Sequence, residues 1–307
     1  MSNERFGFKK LIYSENPILN KIKSINFIRD IYIKYFKKFD GRIIVYLTLA
    51  CNLSCPYCVN EFHNKKAFFP QLSGKQWVDI INKEKRDVVF TGGEPTLHKD
   101  FIYILNNIDS DISVEILTNL KWTDKFLDDF INKVRRPVAF FASYHPPHDL
   151  GRFAYVLKKL KANGKFMGSV HAISTSKERD SAVRSFFKKE KISIGFDSDQ
   201  YRMFEGCSKK FSKRVICSKN IYLIAPNGVR YKCVSNLLLD KFPLEDLKNE
   251  RLKDSLMSGA CNDYGFCAPC DLFGDIKIKK LACNYWIEPV HKTLRHSRNL
   301  SSIDELA

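Results

Sequence analysis

The stretch that decides the fold is Arg42–Cys58, RIIVYLTLACNLSCPYC, in which an apolar run leads directly into three cysteines. A β-branched run of this length, bounded by polar residues, is typical of a buried strand. Cys51, Cys55 and Cys58 follow it with the spacing C-x3-C-x2-C. Thiolates are the natural ligands of iron–sulfur clusters. Three thiolates, rather than four, leave one iron of a cubane open to a substrate or cofactor.

Downstream of this stretch, short β-branched runs alternate with helical patterns as far as about residue 200. Six runs are predicted as strands: 42–49, 87–91, 113–118, 137–143, 165–173 and 192–196. Helices are predicted between them: 73–84, 99–108, 123–134, 149–163 and 176–190. This alternation is typical of parallel strands joined by right-handed crossovers. We therefore expect an α/β fold, a partial (β/α)6 TIM-like barrel, with its active site at the carboxyl ends of the strands.

The residues that follow the predicted strands carry many reactive or ligand-binding groups. The second strand leads into Gly92-Gly93-Glu94, the third into Asn119, and the fourth into Ser143 and His145. Because the carboxyl ends of parallel strands meet at one edge of a sheet, these groups are expected to lie near the three cysteines. His145 is a candidate catalytic group that transfers a proton or contacts substrate. A purely structural role for this loop histidine is the alternative.

The charge balance favours an acidic partner. The chain has 51 Lys and Arg against 34 Asp and Glu, a net charge of +17. Such an excess attracts an acidic protein, an anionic surface or a phosphorylated substrate, although a well-solvated surface explains it equally. Its lysines are dispersed and no RNA-reading aromatic signature is present, which disfavours nucleic acid. Neither a signal peptide nor a run of ~20 apolar residues is found, so a cytoplasmic location is expected.

The ten cysteines fall into two groups, which predicts two metal-binding regions. In a reducing compartment they are expected to be ligands or reactive thiols rather than disulfides. After the first three there are none until a second group: Cys207, Cys217, Cys233, Cys261, Cys267, Cys270 and Cys283. We predict four segments: a basic amphipathic extension (1–40), a core barrel (41–200), a small cysteine-rich domain (201–290) and a tail (291–307). Within the third segment, a hairpin is expected around Pro226-Asn227-Gly228 and a helix near 245–258, with a loop-rich stretch of cysteines after it.

Two motifs together resemble the signature of radical S-adenosylmethionine (radical SAM) enzymes. The first is the C-x3-C-x2-C spacing with Tyr57 immediately before the third cysteine. The second is Gly92-Gly93-Glu94 after the second predicted strand, which is similar to that family's glycine-rich SAM-contact motif. The resemblance covers roughly residues 42–200. It implies a 4Fe–4S cluster on the three cysteines, with SAM chelating the open iron.

The resemblance also implies roles for the residues around this cluster. Gly92 and Gly93 would let the backbone approach the methionine part of SAM with no side chain in the way. Glu94 would accept a charge-assisted hydrogen bond from the amino group of SAM, and Tyr57 would lie against the adenine. Two further residues fall where the family contacts ribose or the methionine carboxylate: Asn119 and Ser143. A helix-cap or turn role is an open alternative for both.

The second cysteine group resembles part of an auxiliary-cluster domain. Cys217, Gly228 and Cys233 are similar to the opening of the SPASM extension, or of its shorter form Twitch, which holds auxiliary 4Fe–4S clusters in radical SAM enzymes. A Twitch-like site would use four cysteines: Cys217, Cys233, Cys267 and Cys270. The later spacing C-x5-C-x2-C-x12-C departs from the C-x2-C-x5-C-x3-C run of full SPASM domains. One auxiliary cluster is therefore expected, and two remain an alternative.

By resemblance, the chain is expected to cleave SAM reductively to a 5′-deoxyadenosyl radical, which abstracts hydrogen from a C–H bond. The expected substrate is a peptide or a small polar, sugar-like molecule, and the expected outcome is oxidation, epimerisation or cross-linking. An acidic flavodoxin or ferredoxin would supply the electron. The alternative is a non-catalytic zinc-binding protein with an acidic partner such as nucleic acid, although a zinc site normally takes four ligands.

Overall fold

The computed structural model describes nine stretches: residues 42–58, 60, 69–174, 176–197, 213–219, 222–241, 243–244, 258–264 and 276–279. The extension predicted at 1–40 and the tail predicted at 291–307 lie outside these residues. The same holds for four cysteines: Cys207, Cys267, Cys270 and Cys283. Among the helices of the described part, none is long and apolar enough to cross a membrane.

The first part of the described chain alternates strands with helices, as predicted. The strands are β1 (Arg42–Thr48), β2 (Asp87–Gly92), β3 (Val114–Thr118), β4 (Ala139–Tyr144), β5 (Met167–Ile173) and β6 (Gly195–Asp197). The helices are α1 (Gly74–Glu84), α2 (Phe101–Asn107), α3 (Asp124–Lys133), α4 (Leu150–Ala162) and α5 (Lys177–Lys189). Side-chain oxygens of Ser73 and Thr123 cap the first turns of α1 and α3, which fixes where these helices begin.

The strands form one mostly parallel sheet, which confirms the expected α/β fold. The order is β6-β5-β4-β3-β2-β1, and every neighbouring pair among these six is parallel. Beyond β1 the sheet continues with β8 (Leu223–Ile224), parallel to β1, and β9 (Arg230–Tyr231), antiparallel to β8. The predicted hairpin is therefore present, and Gly228 adopts a φ of +84° in its turn. Within the described residues the sheet is open, because β6 and β9 do not pair.

The parallel strands bury one face against the helices. In β3, Val114 and Ile116 are buried whereas the alternate residues are half-buried. The same alternation runs through β4 and β5, as expected for a period of two. Trp122, just before α3, contacts the rings of Phe126 and Phe130 at 5.0 Å each between centroids. This aromatic packing holds the β3–α3 connection in place, and with it the carboxyl end of β3.

A partly buried ionic cluster fastens the β8–β9 hairpin to α1. Arg230 Nε donates to Glu84 Oε1 at 3.1 Å, and the Tyr222 hydroxyl donates to the other oxygen of the same carboxylate. Burial alone would raise the pKa of Glu84, but the bonds from Tyr222 and Arg230 outweigh it and lower that pKa. Burial and the Glu84 bond raise the pKa of Tyr222 to about 12. The hairpin is thus joined to the core both through β1 and through α1.

The cysteine-rich region differs from its predicted layout. A separate three-stranded antiparallel sheet has the order β10-β7-β11, made of β7 (Lys213–Lys219), β10 (Ser258–Tyr264) and β11 (Ile276–Lys279). Cys217 lies in β7, the central strand of this second sheet. Cys261 lies in β10 rather than in a loop. A short helix, α6 (Val234–Leu238), follows the hairpin; of the helix predicted at 245–258, only Ser258 is described, and it begins a strand.

Candidate active site

The three cysteines of the first group lie in the loop that leaves the carboxyl end of β1. Leu53, Cys55 and Tyr57 are buried in one apolar cluster, and Cys51 and Cys58 pack against it. The backbone N–H of Cys58 donates to the carbonyl of Cys55 at 3.0 Å, which closes a turn between these two ligand candidates. The three cysteines therefore share one loop at the carboxyl end of β1 and pack in or against one apolar cluster. Their binding of an iron–sulfur cluster remains a prediction.

The chemistry of this thiol set suits a cluster better than a single ion. Within the described residues, no three His, Cys, Asp or Glu side chains converge on a point where one metal ion could bind. A structural zinc site takes four protein ligands, whereas a 4Fe–4S cubane with one open iron takes three thiolates, each on its own iron. Cys51 Sγ also accepts hydrogen bonds from the backbone N–H of Leu53 at 3.4 Å and from Asn119 Nδ2 at 3.8 Å. Donors of this kind stabilise the negative charge of cluster thiolates, so these residues fit an iron–sulfur cluster.

Gly92 and Gly93 bring β2 against the start of the cysteine loop. A Cβ atom on Gly92 would lie 2.1 Å from the carbonyl oxygen of Thr48, and one on Gly93 would lie 2.1 Å from that of Ala50. The backbone N–H of Gly93 donates to Thr48 at 2.9 Å, and that of Glu94 donates to Ala50 at 2.8 Å. Glycine is therefore required here by contact with the chain's own backbone. Contact with a ligand remains a prediction.

Glu94 is a buried carboxylate that joins the β2 and β3 loops. Its Oε1 accepts bonds from the hydroxyls of Thr96 at 2.6 Å and Thr118 at 2.9 Å, and its Oε2 accepts from the backbone N–H of Asn119 at 2.9 Å. Glu94 is 1% exposed, and burial raises its pKa although these donors oppose the shift. Among the described residues no cationic side chain forms a salt bridge with it. The predicted hydrogen bond from a ligand's amino group remains a prediction, and it would supply the missing positive charge.

Asn119 lies between Glu94 and the cysteine loop. Its backbone N–H binds Glu94, its Nδ2 donates to Asn52 Oδ1 at 2.9 Å and to Cys51 Sγ, and its Oδ1 accepts from the backbone N–H of Lys121 at 2.8 Å. The loops after β1, β2 and β3 are thus bonded to one another around Cys51. The side-chain amide of Asn119 thus bonds to groups of the chain. Its contact with ribose or carboxylate remains a prediction.

A fourth loop reaches the site from β4. The hydroxyl of Tyr57 lies 3.1 Å from Nδ1 of His145, and the two rings stack with centroids 5.9 Å apart and planes at 19°. Burial, and to a smaller degree His148, lowers the pKa of His145 to about 4, so the ring is neutral at pH 7. Since β4 is three strands away from β1 in the sheet, this contact spans the edge. A neutral histidine of such low basicity suits an orienting role, and its predicted catalytic role stays a prediction.

Comparison with known proteins decides the family of this region. Residues 45–186 match the model of the Radical SAM superfamily. These residues contain the cysteine loop, the glycine run, Asn119 and His145. Residues 45–186 form a radical SAM domain. The fold, the thiol loop and the bonded glycine–glutamate loop agree with that assignment.

Curated relatives of the radical SAM domain have different names and are matched only in part. The chain is 32% identical over 113 residues to 7-carboxy-7-deazaguanine synthase of Clostridium acetobutylicum, covering 35% of this chain and 49% of the relative. It is 33% identical over 84 residues to an S-adenosylmethionine-dependent nucleotide dehydratase of Selenomonas ruminantium, covering 25% and 29%. It is 32% identical over 82 residues to PqqA peptide cyclase of Rhodopseudomonas palustris, covering 25% and 21%. The match thus spans less than half the length of each of these relatives.

The structure also describes two other predicted site residues, Ser143 and Cys233. Ser143 is half-buried in β4, in register with His171 of β5, so its predicted contact with SAM remains untested. Cys233 caps the first turn of α6, where its Sγ accepts from the backbone N–H of Asn236 at 3.5 Å. Ligation of an auxiliary cluster by Cys217 and Cys233, with the two cysteines outside the described residues, stays a prediction.

Two threonines that donate hydrogen bonds to Glu94 of the radical SAM domain are not predicted from the sequence. Thr96 and Thr118 together make three of the hydrogen bonds to Glu94. A signal for Thr96 is present, because Glu94 precedes Pro95 and acts as the N-cap of a short 3-10 helix, Pro95–Leu97. Thr118 ends β3 and comes directly before Asn119, but its partner depends on how β2 and β3 align.

Proposed function

We propose that the chain is a radical SAM enzyme that binds a 4Fe–4S cluster through Cys51, Cys55 and Cys58 and cleaves SAM reductively. When bound, the cluster and SAM would supply a 5′-deoxyadenosyl radical that abstracts hydrogen from a C–H bond of the substrate. The observation that carries the proposal is the bonded arrangement around Cys51. Three loops from neighbouring strands meet there and present thiols, a buried carboxylate and N–H donors to sulfur.

The protein's own residues would fix the geometry of this chemistry. Glu94 holds the β2 loop against Asn119, and the Gly92 and Gly93 contacts hold the same loop against the cysteine loop. A ligand ammonium group bound beside the buried Glu94 carboxylate would provide the charge that no described side chain supplies. Tyr57, held by His145, would orient the adenine side of the site. The electron would come from an acidic donor such as a flavodoxin or ferredoxin, for which the net charge of +17 is favourable.

The proposed substrate is a peptide or a small polar molecule, altered by oxidation, epimerisation or cross-linking. The relatives include a nucleotide dehydratase and a peptide cyclase, so they support radical chemistry on polar substrates without selecting one. One auxiliary cluster on the second cysteine group, or two, would accept an electron from the substrate radical. A cytoplasmic location belongs to the same proposal, because reduced thiols persist there.

Anaerobic reconstitution tests the proposal. Reconstituted protein should contain about four irons from the first cysteine group, and up to twelve if two auxiliary clusters are present, each cluster counting about four. After reduction it should convert SAM to 5′-deoxyadenosine and methionine, which chromatography measures. A Cys55→Ala variant should lose SAM cleavage, whereas Cys233→Ala should keep SAM cleavage and lose only auxiliary iron. Zinc without iron, or SAM cleavage by Cys55→Ala at the wild-type rate, would contradict the proposal.

A further inference from the structure

The side chain of Asn119 is held so that one of its N–H groups points to the sulfur of Cys51. The residue is 5% exposed, and its Nδ2 lies 2.9 Å from Asn52 Oδ1 and 3.8 Å from Cys51 Sγ. A carboxamide nitrogen carries two hydrogens, so these two acceptors use both. Asn119 therefore offers the thiol a donor that is not shared with water.

The orientation of this amide is fixed from its other end. Asn119 Oδ1 accepts a hydrogen bond from the backbone N–H of Lys121 at 2.8 Å. Turning the amide over would place its NH2 group against that N–H and its oxygen against Asn52 Oδ1, so both contacts would become repulsive. The backbone N–H of Asn119 is also bound, to Glu94 Oε2 at 2.9 Å. The donor to sulfur is consequently set by three contacts outside the thiol.

The cysteine loop that contains Cys51 is bonded to the segment that contains Asn119. Asn52 Nδ2 donates to the carbonyl of Lys121 at 2.7 Å, and Lys121 Nζ donates to the carbonyl of Asn52 at 2.8 Å. These reciprocal bonds tie the residue after Cys51 to the residue two positions after Asn119. The distance between Asn119 Nδ2 and Cys51 Sγ is therefore held by several bonds on each side, although the two residues are 68 positions apart.

We propose that Asn119 is a positioning residue that raises the reduction potential of the cluster bound at Cys51, an inference that rests on the proposed function. Reduction adds negative charge to a cluster and its thiolates, and an N–H directed at a ligand sulfur stabilises that charge. The structure thus assigns to Asn119 an electronic effect on the cluster. Because the bond is long, its effect belongs to the lower end of those for hydrogen bonds to charged groups.

The test is a redox titration of reconstituted protein in the absence of SAM, monitored by electron paramagnetic resonance after iron and sulfide have been counted. Asn119→Leu preserves the size of the side chain and removes both N–H donors, and Asn119→Ser removes the amide with a smaller side chain. At a potential equal to the wild-type midpoint, the ratio of oxidised to reduced cluster should be about tenfold higher in each variant than in the wild type. Tenfold corresponds to a midpoint lower by 59 mV for a one-electron couple.

Asn106 provides a matched control. Its Nδ2 donates to the carbonyl of Lys133 at 2.8 Å, and its Oδ1 accepts from the backbone N–H of Arg135 at 2.9 Å. Asn106 thus joins α2 to the end of α3 by the same kinds of bond, without a sulfur contact. Asn106→Leu should leave the midpoint at the wild-type value. An Asn119 variant that retains full iron and the wild-type midpoint would overturn the inference alone. Wild-type protein that binds no iron would overturn the proposed function, and this inference with it.

Discussion

Replacing Gly93 by alanine should separate the cysteine loop from β2. The new Cβ would lie 2.1 Å from the carbonyl oxygen of Ala50, 2.5 Å from its carbonyl carbon and 2.6 Å from the carbonyl oxygen of Leu49. All three atoms belong to the backbone, so no side chain can swing aside to make room. Relief requires the whole segment after β1 to move.

The expected cost follows from the contacts that would be lost. Overpacking of a tight site costs about 1–3 kcal/mol. Movement of the loop would also weaken the bonds from Gly93 N–H to Thr48 at 2.9 Å and from Glu94 N–H to Ala50 at 2.8 Å. At about 0.5–1.5 kcal/mol for each bond, the free energy of unfolding should fall by about 2–6 kcal/mol. Since domains are typically stable by only about 5–15 kcal/mol, this loss is large.

The assay is urea unfolding of iron-free, reduced protein followed by far-UV circular dichroism, with iron content measured separately after reconstitution. Gly151→Ala in α4 is the matched control, because a Cβ there would meet only the Asp149 side chain at 3.3 Å. That control should change the free energy of unfolding by no more than about 1 kcal/mol, since the helix preference of alanine offsets a small shift of the Asp149 carboxylate. Gly93→Ala protein with stability within about 1 kcal/mol of wild type and with normal iron uptake would refute the reasoning.

Two further predictions concern pH. Glu84→Gln should lower the free energy of unfolding by about 1–3 kcal/mol at pH 7. Because the pKa of Glu84 is lowered in the fold, the difference in stability between wild type and variant should shrink as the pH falls through this pKa. A constant difference between pH 7 and pH 3.5 in urea titrations would contradict this prediction. The pKa of His145 is lowered to about 4 in the fold, so the unfolded chain binds more protons than the native one between about pH 4 and 6.5. The free energy of unfolding of the wild type should therefore rise with pH across that window, and His145→Asn should reduce this rise. Equal slopes for wild type and variant would contradict the assignment of that titration to His145.

The parts of the fold that local patterns specify could be predicted from the sequence. Runs such as Arg42–Thr48 are β-branched and apolar, and the helices between them begin at capping residues such as Ser73 and Thr123, so each element is marked in its own residues. The pairing of β8 with β1 is marked nowhere locally, because strands of two residues lack a pattern of their own.

The sequence predicts which residues belong to the candidate site, but it does not predict which groups those residues contact. Cysteine spacing identifies the proposed ligands, and Gly92 and Gly93 are recognisable as positions of close approach. The group that lies against these glycines depends on how β1 packs beside β2. In the structure, the carbonyl oxygens of Thr48 and Ala50 lie there. The Asn119 contact with Cys51 likewise depends on two turns meeting across the sheet edge, which spacing along the chain does not encode.

Pairing of β1 with β8 has a consequence for the synthesis of the chain. Ile44 is synthesised long before its partner Leu223. At a translation rate of about 5–20 residues per second, the edge of β1 that pairs with β8 stays unpaired with it for roughly 10–40 s. During this interval an apolar strand edge, followed at once by three thiols, has no partner from β8. Exposed edges of this kind are templates for pairing between chains. Slow translation or premature termination before the hairpin should therefore favour aggregates of nascent chains. Among the strands of the described residues, the one that carries the cysteine loop is made first and is among the last to be enclosed.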